Sequence, residues 1–294
     1  MSRFFRIGEI HCKWRNALRR YELIFYSCTI VTWRYSSCTD AKFCVLIGAN
    51  HHPQKPRNRA AINGRSPSNF FMYFCHRIFL EKNMNNSMLE LFSKNGELVP
   101  KDVTPWQSFS GKGMTFWLQS YDWKGCACVS HLTMRAFFGM MKMDTLICTP
   151  YAKDMPLLSY DLISALWKRT LLVEAYDTLV EPVDLSAMMA VKEKYSDLKD
   201  KQMKPAWYDA LKLPPTVSKV GDKSRLSALA TEMISSYLEI FASARDVDRS
   251  VKTAKNRTYV DGLINDGPTF RVVSKMIGAE SAKILFQRFL FGVE

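Results

Sequence analysis

Three aspartates in this chain sit where their neighbours read as core: Asp144 in "KMDTLIC", Asp161 in "PLLSYDLIS" and Asp266 in "GLINDGPTF". An ionised carboxylate costs roughly several kcal/mol to bury unpaired, so each needs a partner or a use. The use open to a carboxyl in an apolar setting is proton transfer. Desolvation raises its pKa and keeps a proton at hand near neutral pH. Asp161 is flanked by Leu157, Leu158, Leu162 and Ile163 and has no evident capping role. In "KMDTLIC" the two-residue period of a strand puts Lys142, Asp144, Leu146 and Cys148 on one face, so Lys142 or a neighbouring strand is an ordinary partner for Asp144. Asp266 precedes Gly267 and Pro268, where a turn or helix N-cap serves equally well.

Other chemistries lack their residues. The sequence contains no G-x-x-x-x-G-K-[ST], no G-x-G-x-x-G after a strand, no H-E-x-x-H and no G-x-S-x-G. Cys126 and Cys128 are expected on one face of a strand and His131 on the other, which is too few ligands for a metal. His11, Cys12, His51 and His52 lack the paired spacing of a zinc site. No metal site is expected.

Short runs rich in aromatic and β-branched residues must position the three aspartates. They are "MTFWLQSYDW", "CACVSHLTMRAFF", "MMKMDTLIC", "LLSYDLIS" and "RTLLVEAYDTLV", separated by signals at Gly125, Gly139 and Pro150. Connections this short favour an antiparallel meander. After Pro182 the period becomes helical. "DLSAMMAVKEKYSDLKDK" has Asp184 as its N-cap candidate, and "KSRLSALATEMISSYLEIFASARDVDRS" carries a stripe of Leu226, Leu229, Met233, Tyr237, Ile240 and Phe241. "TFRVVSKMIG" and "ESAKILFQRFLF" read as two terminal helices divided by Gly278. Strands followed by helices imply an α+β fold, with helices packed on one antiparallel sheet.

The chain of 294 residues has a formal charge of +13, which suggests an anionic partner until its distribution is read. Residues 1–83 hold 14 of the 41 Lys and Arg, four of the 28 Asp and Glu, five of the eight Cys and four of the five His. That segment reads as a basic, disordered or non-native extension, with the working domain over 84–294. Its "GANHHPQKPRNRAAINGRSPSN" has linker composition, and its "LIFYSCTIVTW" is about half the length a membrane span needs. Neither a nucleic-acid partner nor a membrane is therefore expected. Cysteines without a disulfide pattern point to a reducing, cytoplasmic setting.

The stretch "TPYAKDMPLLSYDLIS" resembles the ferredoxin-dependent bilin reductase family in its order of strand, Pro, polar turn, "LP"-like residues, Asp and apolar strand. "NDGPTFRVVSKMIGAESAKILFQRFLFG" resembles that family's closing pattern, and "AWYDALKLPP" is a weaker echo. Together these span roughly Met114 to Gly292. The resemblance implies a three-layer α/β/α sandwich with a central antiparallel sheet, and an open-chain tetrapyrrole held between sheet and C-terminal helices. It implies no bound metal or flavin, with reduced ferredoxin as the electron donor and protein carboxyls as the proton donors. By position, Asp161 matches the family's central proton donor, and Asp266 the aspartate that approaches from the helical side. Asp144 falls where some members carry His and others Asn. The acidic residue of the preceding strand has no direct counterpart in "VSHLTMRAFF", where Leu132 or Thr133 falls near it and His131 is a substitute. Arg135, Lys142, Lys168 and Arg169 are candidates to hold the pigment's propionates. A tetrapyrrole carrier on the same fold is the alternative, and an activity like that of red chlorophyll catabolite reductase is a variant of the main reading.

Overall fold

A computed structural model describes Asn86–Thr104 and Trp106–Glu294. The expected extension over residues 1–83 lies outside the described residues. Among those described, nine strands form one sheet: β1 (Leu98–Pro100), β2 (Ser108–Gly111), β3 (Met114–Trp123), β4 (Ala127–Ala136), β5 (Met141–Pro150), β6 (Leu157–Ala165), β7 (Lys168–Tyr176), β8 (Lys199–Asp200) and β9 (Val217–Val220). Their spatial order is β1-β3-β4-β5-β6-β7-β9-β8, with β2 paired to β3, and every pairing is antiparallel. The expected meander is the run from β3 to β7.

The helices are α1 (Asn86–Asn95), α2 (Ser186–Lys194), α3 (Lys223–Ser243), α4 (Arg249–Asp266), α5 (Pro268–Ile277) and α6 (Ala279–Ile284), which continues as a π-helical turn over Leu285–Leu290. They divide between the two faces of the sheet, giving the expected α/β/α sandwich. On one face Leu146, Cys148, Leu158, Tyr160, Leu171 and Val173 pack with Phe92 of α1, Met188 of α2, and Leu226, Met233, Tyr237 and Phe241 of α3 in a single buried cluster. Apolar burial on this scale, at about 25 cal/mol per Å², is the main force holding α3 to the sheet. On the other face Ser130 donates to the Leu290 carbonyl at 2.8 Å, Asn256 of α4 donates to the Pro150 carbonyl at 2.6 Å, and Tyr259 stacks obliquely on Tyr176 at 4.5 Å.

Besides the end of α3 at Ser243, where the helical pattern reads on to Ser250, three boundaries differ from the sequence reading. Helix α2 stops at Lys194, and "LKDK" supplies β8 instead. Its N-cap is Leu185, while Asp184 accepts from the Ser186 amide at 2.8 Å one residue upstream. The third is α4, which no apolar stripe announced. Its buried residues are Lys252, Asn256, Tyr259 and Val260, so the inward positions are largely polar. Asp266 is accordingly the last residue of an 18-residue helix, and the cap of α5 is Gly267. Gly278 behaves as expected, closing α5 at a φ of 87°.

Candidate active site

On the face toward α4, Asp161 occupies the middle of a row that crosses the sheet as Leu118, Leu132, Thr145, Asp161, Leu172 and Ser218. Thr145 donates its hydroxyl to Asp161 Oδ1, and Ser159 donates to Oδ2 at 3.4 Å. Burial pushes the Asp161 carboxyl from 3.8 up to about 7. The negative charges of Glu174 and Asp144 add to the rise, against the hydrogen bonds from Thr145 and Ser159. A carboxyl near 7 holds or releases its proton at almost no cost at neutral pH.

One row along on the same face lies Glu174, cross-strand partner of Ser159. It is buried, takes a 2.6 Å hydrogen bond from Tyr176 Oη, and pairs with Lys212 Nζ at 2.7 Å. Lys212 also reaches Asp209 at 2.8 Å. Sequence reading passed over Glu174 because it was counted within an apolar strand. The rule that singled out Asp161, a carboxylate inside an apolar run, would have found it.

Aromatic rings wall this region on the helical side. Tyr176 meets Tyr208 edge-on at 6.0 Å, and Trp207 lies 5.6 Å from Tyr208 and 6.0 Å from Tyr259. Tyr208 and Tyr259 both lie within electrostatic reach of Glu174 and Asp161, and burial chiefly raises their phenol pKa values. The indole Nε1 of Trp207 is buried with no protein acceptor among the described residues. Trp207 and Tyr208 come from "AWYDALKLPP", the weakest of the matched stretches. In the row nearer the ends of β5 and β6, Met143, Ile163 and Thr170 are only half-buried, leaving two apolar side chains and a hydroxyl beside Asp161.

Gly262 of α4 makes room for the Trp207 ring. A Cβ there would meet Trp207 Cη2 at 2.2 Å. Ala is favoured over Gly inside a helix by about 1 kcal/mol, but overpacking against a hemmed ring costs about 1–3 kcal/mol. Gly262→Ala is therefore expected to lower stability by about 1 kcal/mol and to shift tryptophan emission to the red. An unchanged urea midpoint with unchanged emission would mean that the ring is not confined between Tyr208 and Tyr259.

The remaining sequence candidates scatter. Asp144 points to the opposite face, because its cross-strand partner is Leu162 while Asp161 is opposite Thr145. There it is buried and bound at 2.6 Å to Nε2 of His131, whose Nδ1 faces Gln119 Oε1 at 3.3 Å. Asp144 and His131 thus satisfy each other away from Asp161, which explains why the core tolerates Asp144. Arg135, Lys142 and Arg169 also belong to that opposite face by register, and Arg135 stacks over Trp117 at 5.5 Å. Lys168 alone of the four cations shares the face of Asp161, at the exposed end of β7. Asp266 lies on the stripe of α4 that carries Tyr259, Gly262 and Leu263, two turns beyond Tyr259. Its side chain is 70% exposed and 3.8 Å from Arg271. Among the described residues there is no cluster of His, Cys, Asp and Glu able to hold a metal.

The arrangement of sheet and helices has a solved counterpart. The structure is similar to phytochromobilin synthase from tomato, solved in complex with biliverdin. The match has a TM-score of 0.58 and 12% sequence identity, covering 72% of this chain and 83% of that one. The two chains share one fold. At this identity the likeness concerns the path of the backbone, and the chemistry must be argued from the side chains. No family model matches the sequence, and no curated protein matches it. The shared fold agrees with the α/β/α layers implied by the sequence resemblance.

Proposed function

We propose that the protein reduces an open-chain tetrapyrrole of the biliverdin type, taking electrons one at a time from reduced ferredoxin. The observation that carries this reading is the Asp161 carboxyl. It lies near pKa 7 beside the half-buried Met143 and Ile163 and close to aromatic rings, in a fold shared with a protein solved in complex with biliverdin. Aromatic and half-buried apolar side chains suit a flat conjugated pigment.

Reducing one double bond takes two electrons and two protons. Each electron added to the conjugated system makes it more basic, and Asp161 hands over a proton from the sheet side. Asp266, exposed at the end of α4, would relay the second from solvent on the helical side. Trp207 Nε1, a buried donor in want of an acceptor, would bond a pigment carbonyl, and Lys168 is placed to meet a propionate. Asp144 and His131 take no direct part in this scheme; the charge of Asp144 helps keep the Asp161 proton in place. Electrons come from outside, so the reaction asks for no resident metal or flavin. Three free cysteines among the described residues suit the reducing cytoplasm that ferredoxin requires.

The test mixes the protein anaerobically with biliverdin and a ferredoxin reducing system and follows the visible spectrum. Loss of the biliverdin band with a reduced bilin as product is the expected result. Binding with a spectral shift and no turnover would instead make the protein a tetrapyrrole carrier.

A further inference from the structure

Three hairpin ends meet at one edge of the sheet. The β4–β5 connection runs through Phe137–Gly139, the β6–β7 tip is Leu166 and Trp167, and the β2–β3 tip is Lys112 and Gly113. Backbone bonds tie them together: Leu166 N–H donates to the Met140 carbonyl at 3.0 Å, and Phe137 N–H to the Gly113 carbonyl at 3.4 Å. At these tips Phe138 is 96% exposed, Trp167 84%, Leu166 56% and Met140 41%. Phe137, Phe138, Leu166 and Lys112 all sit at φ between 52° and 57°, a left-handed conformation that side-chain-bearing residues seldom adopt. Glycine would turn these corners without strain. The chain instead holds large apolar side chains outward, where folding gains nothing from them.

Charge identifies the occupant. The segments 108–116, 134–142 and 164–170 carry Lys112, Arg135, Lys142, Lys168 and Arg169, and not one Asp or Glu. A cationic collar beneath projecting Trp and Phe side chains fits the interface of a bilayer. Aromatic rings settle there at headgroup depth while Lys and Arg meet anionic lipid heads. A protein partner would fit a groove better than rings exposed to 96% and 84% on hairpin tips. We infer that this edge docks the protein on an anionic membrane surface through Phe138 and Trp167. Among the described residues no helix is long and apolar enough to cross a membrane, and surface docking needs none. The absence of a spanning run, which set aside a membrane partner in the sequence reading, therefore does not bear on this contact.

The test uses the full chain with vesicles of phosphatidylcholine, with and without phosphatidylserine. Residues 1–83 hold 14 cations and can bind such vesicles by charge alone, so two readouts are combined. Phe138→Ser with Trp167→Ser is expected to weaken sedimentation with phosphatidylserine vesicles by about tenfold, with an unchanged melting temperature. Brominated acyl chains should quench emission of the wild type more than that of Trp167→Phe. Equal binding by the double variant would overturn the inference, and so would equal quenching of wild type and Trp167→Phe. A tip-dependent dimer, or tip-dependent binding to an acidic soluble protein without response to vesicles, would overturn it as well.

Discussion

On the proposed activity, Asp161→Asn is expected to slow bilin reduction by about 10²–10⁴ while leaving pigment binding within about threefold, the scale set by loss of one general acid. Asn has nearly the same shape, and its amide oxygen can still accept from Thr145, so the floor of the site is kept. What it cannot do is release a proton to a reduced pigment. Single-turnover rates against a spectral binding titration separate the two effects, and a loss of affinity equal to the loss of rate would make Asp161 a binding residue only. The pH dependence gives a second check. The wild-type rate should fall as pH rises through about 7, where Asp161 loses its proton, and that step should vanish in the variant. Stability should move the other way. Because the folded pKa is raised, the folded chain holds a proton between about 4 and 7 that the unfolded chain has released. The stabilisation is complete below about 4 and is lost as pH rises through 7. Above pH 7 the ionised carboxylate thus burdens the fold by up to about 4 kcal/mol at 1.36 kcal/mol per pK unit, less whatever solvent access relieves. Asn removes that burden. The variant should melt several degrees higher than wild type at pH 8, by about 2–4 °C per kcal/mol, and alike at pH 4.

The faces of Asp144 and Asp161 show where sequence reading ran out. Period two correctly placed Lys142, Asp144, Leu146 and Cys148 together, because one strand fixes its own alternation. It could not carry that parity across the turn to β6. Residues 151–156 decide it, and a one-residue slip in pairing would send Asp161 to the other side. That turn is anchored by distant groups. Tyr151 and Ala152 donate to the Cys126 carbonyl, and Asp154 N–H donates to the Arg245 carbonyl at 3.0 Å. Helix α4 was illegible for a related reason. Its inward Lys252 donates to the carbonyls of Met155 and Thr178 and the Asn256 amide to that of Pro150, so a polar stripe performs the packing that apolar residues usually announce. The strands and α3 were legible because they bury ordinary hydrocarbon.

Asp154→Ala should cost about 3–5 kcal/mol, because it strips the carboxylate from a buried cation. Both Asp154 and Lys252 are fully buried, with Nζ 3.5 Å from Oδ1. Burial pushes the Asp154 carboxyl up. The amides of Val180 and Glu181, at 2.9 and 3.0 Å, together with Arg245 and Lys252, outweigh that and hold it below the usual carboxylate range. Its contribution is therefore present above the ordinary carboxylate pKa and lost as pH falls through the depressed value. Lys252 answers with a pKa lowered by burial to about 8, against the pull of Asp154. The folded chain sheds that proton before the unfolded one does, so stability rises between about pH 8 and 10.5. Without Asp154 the Lys252 value falls further, and the window opens at lower pH. The variant should accordingly be weakest at or below neutral pH and recover part of its loss toward pH 10. Adding Lys252→Met removes the stranded charge, while Arg245, which is half exposed, remains free to turn to water or to Glu181. Urea midpoints for the two single variants and the double should then show the double to be more stable than Asp154→Ala alone. If the double were no better, or if Asp154→Ala cost under about 1 kcal/mol, the pair would not be what fixes the β5–β6 turn. The parity that brings Asp161 to the α4 face would then have to rest on the backbone bonds of Tyr151 and Ala152.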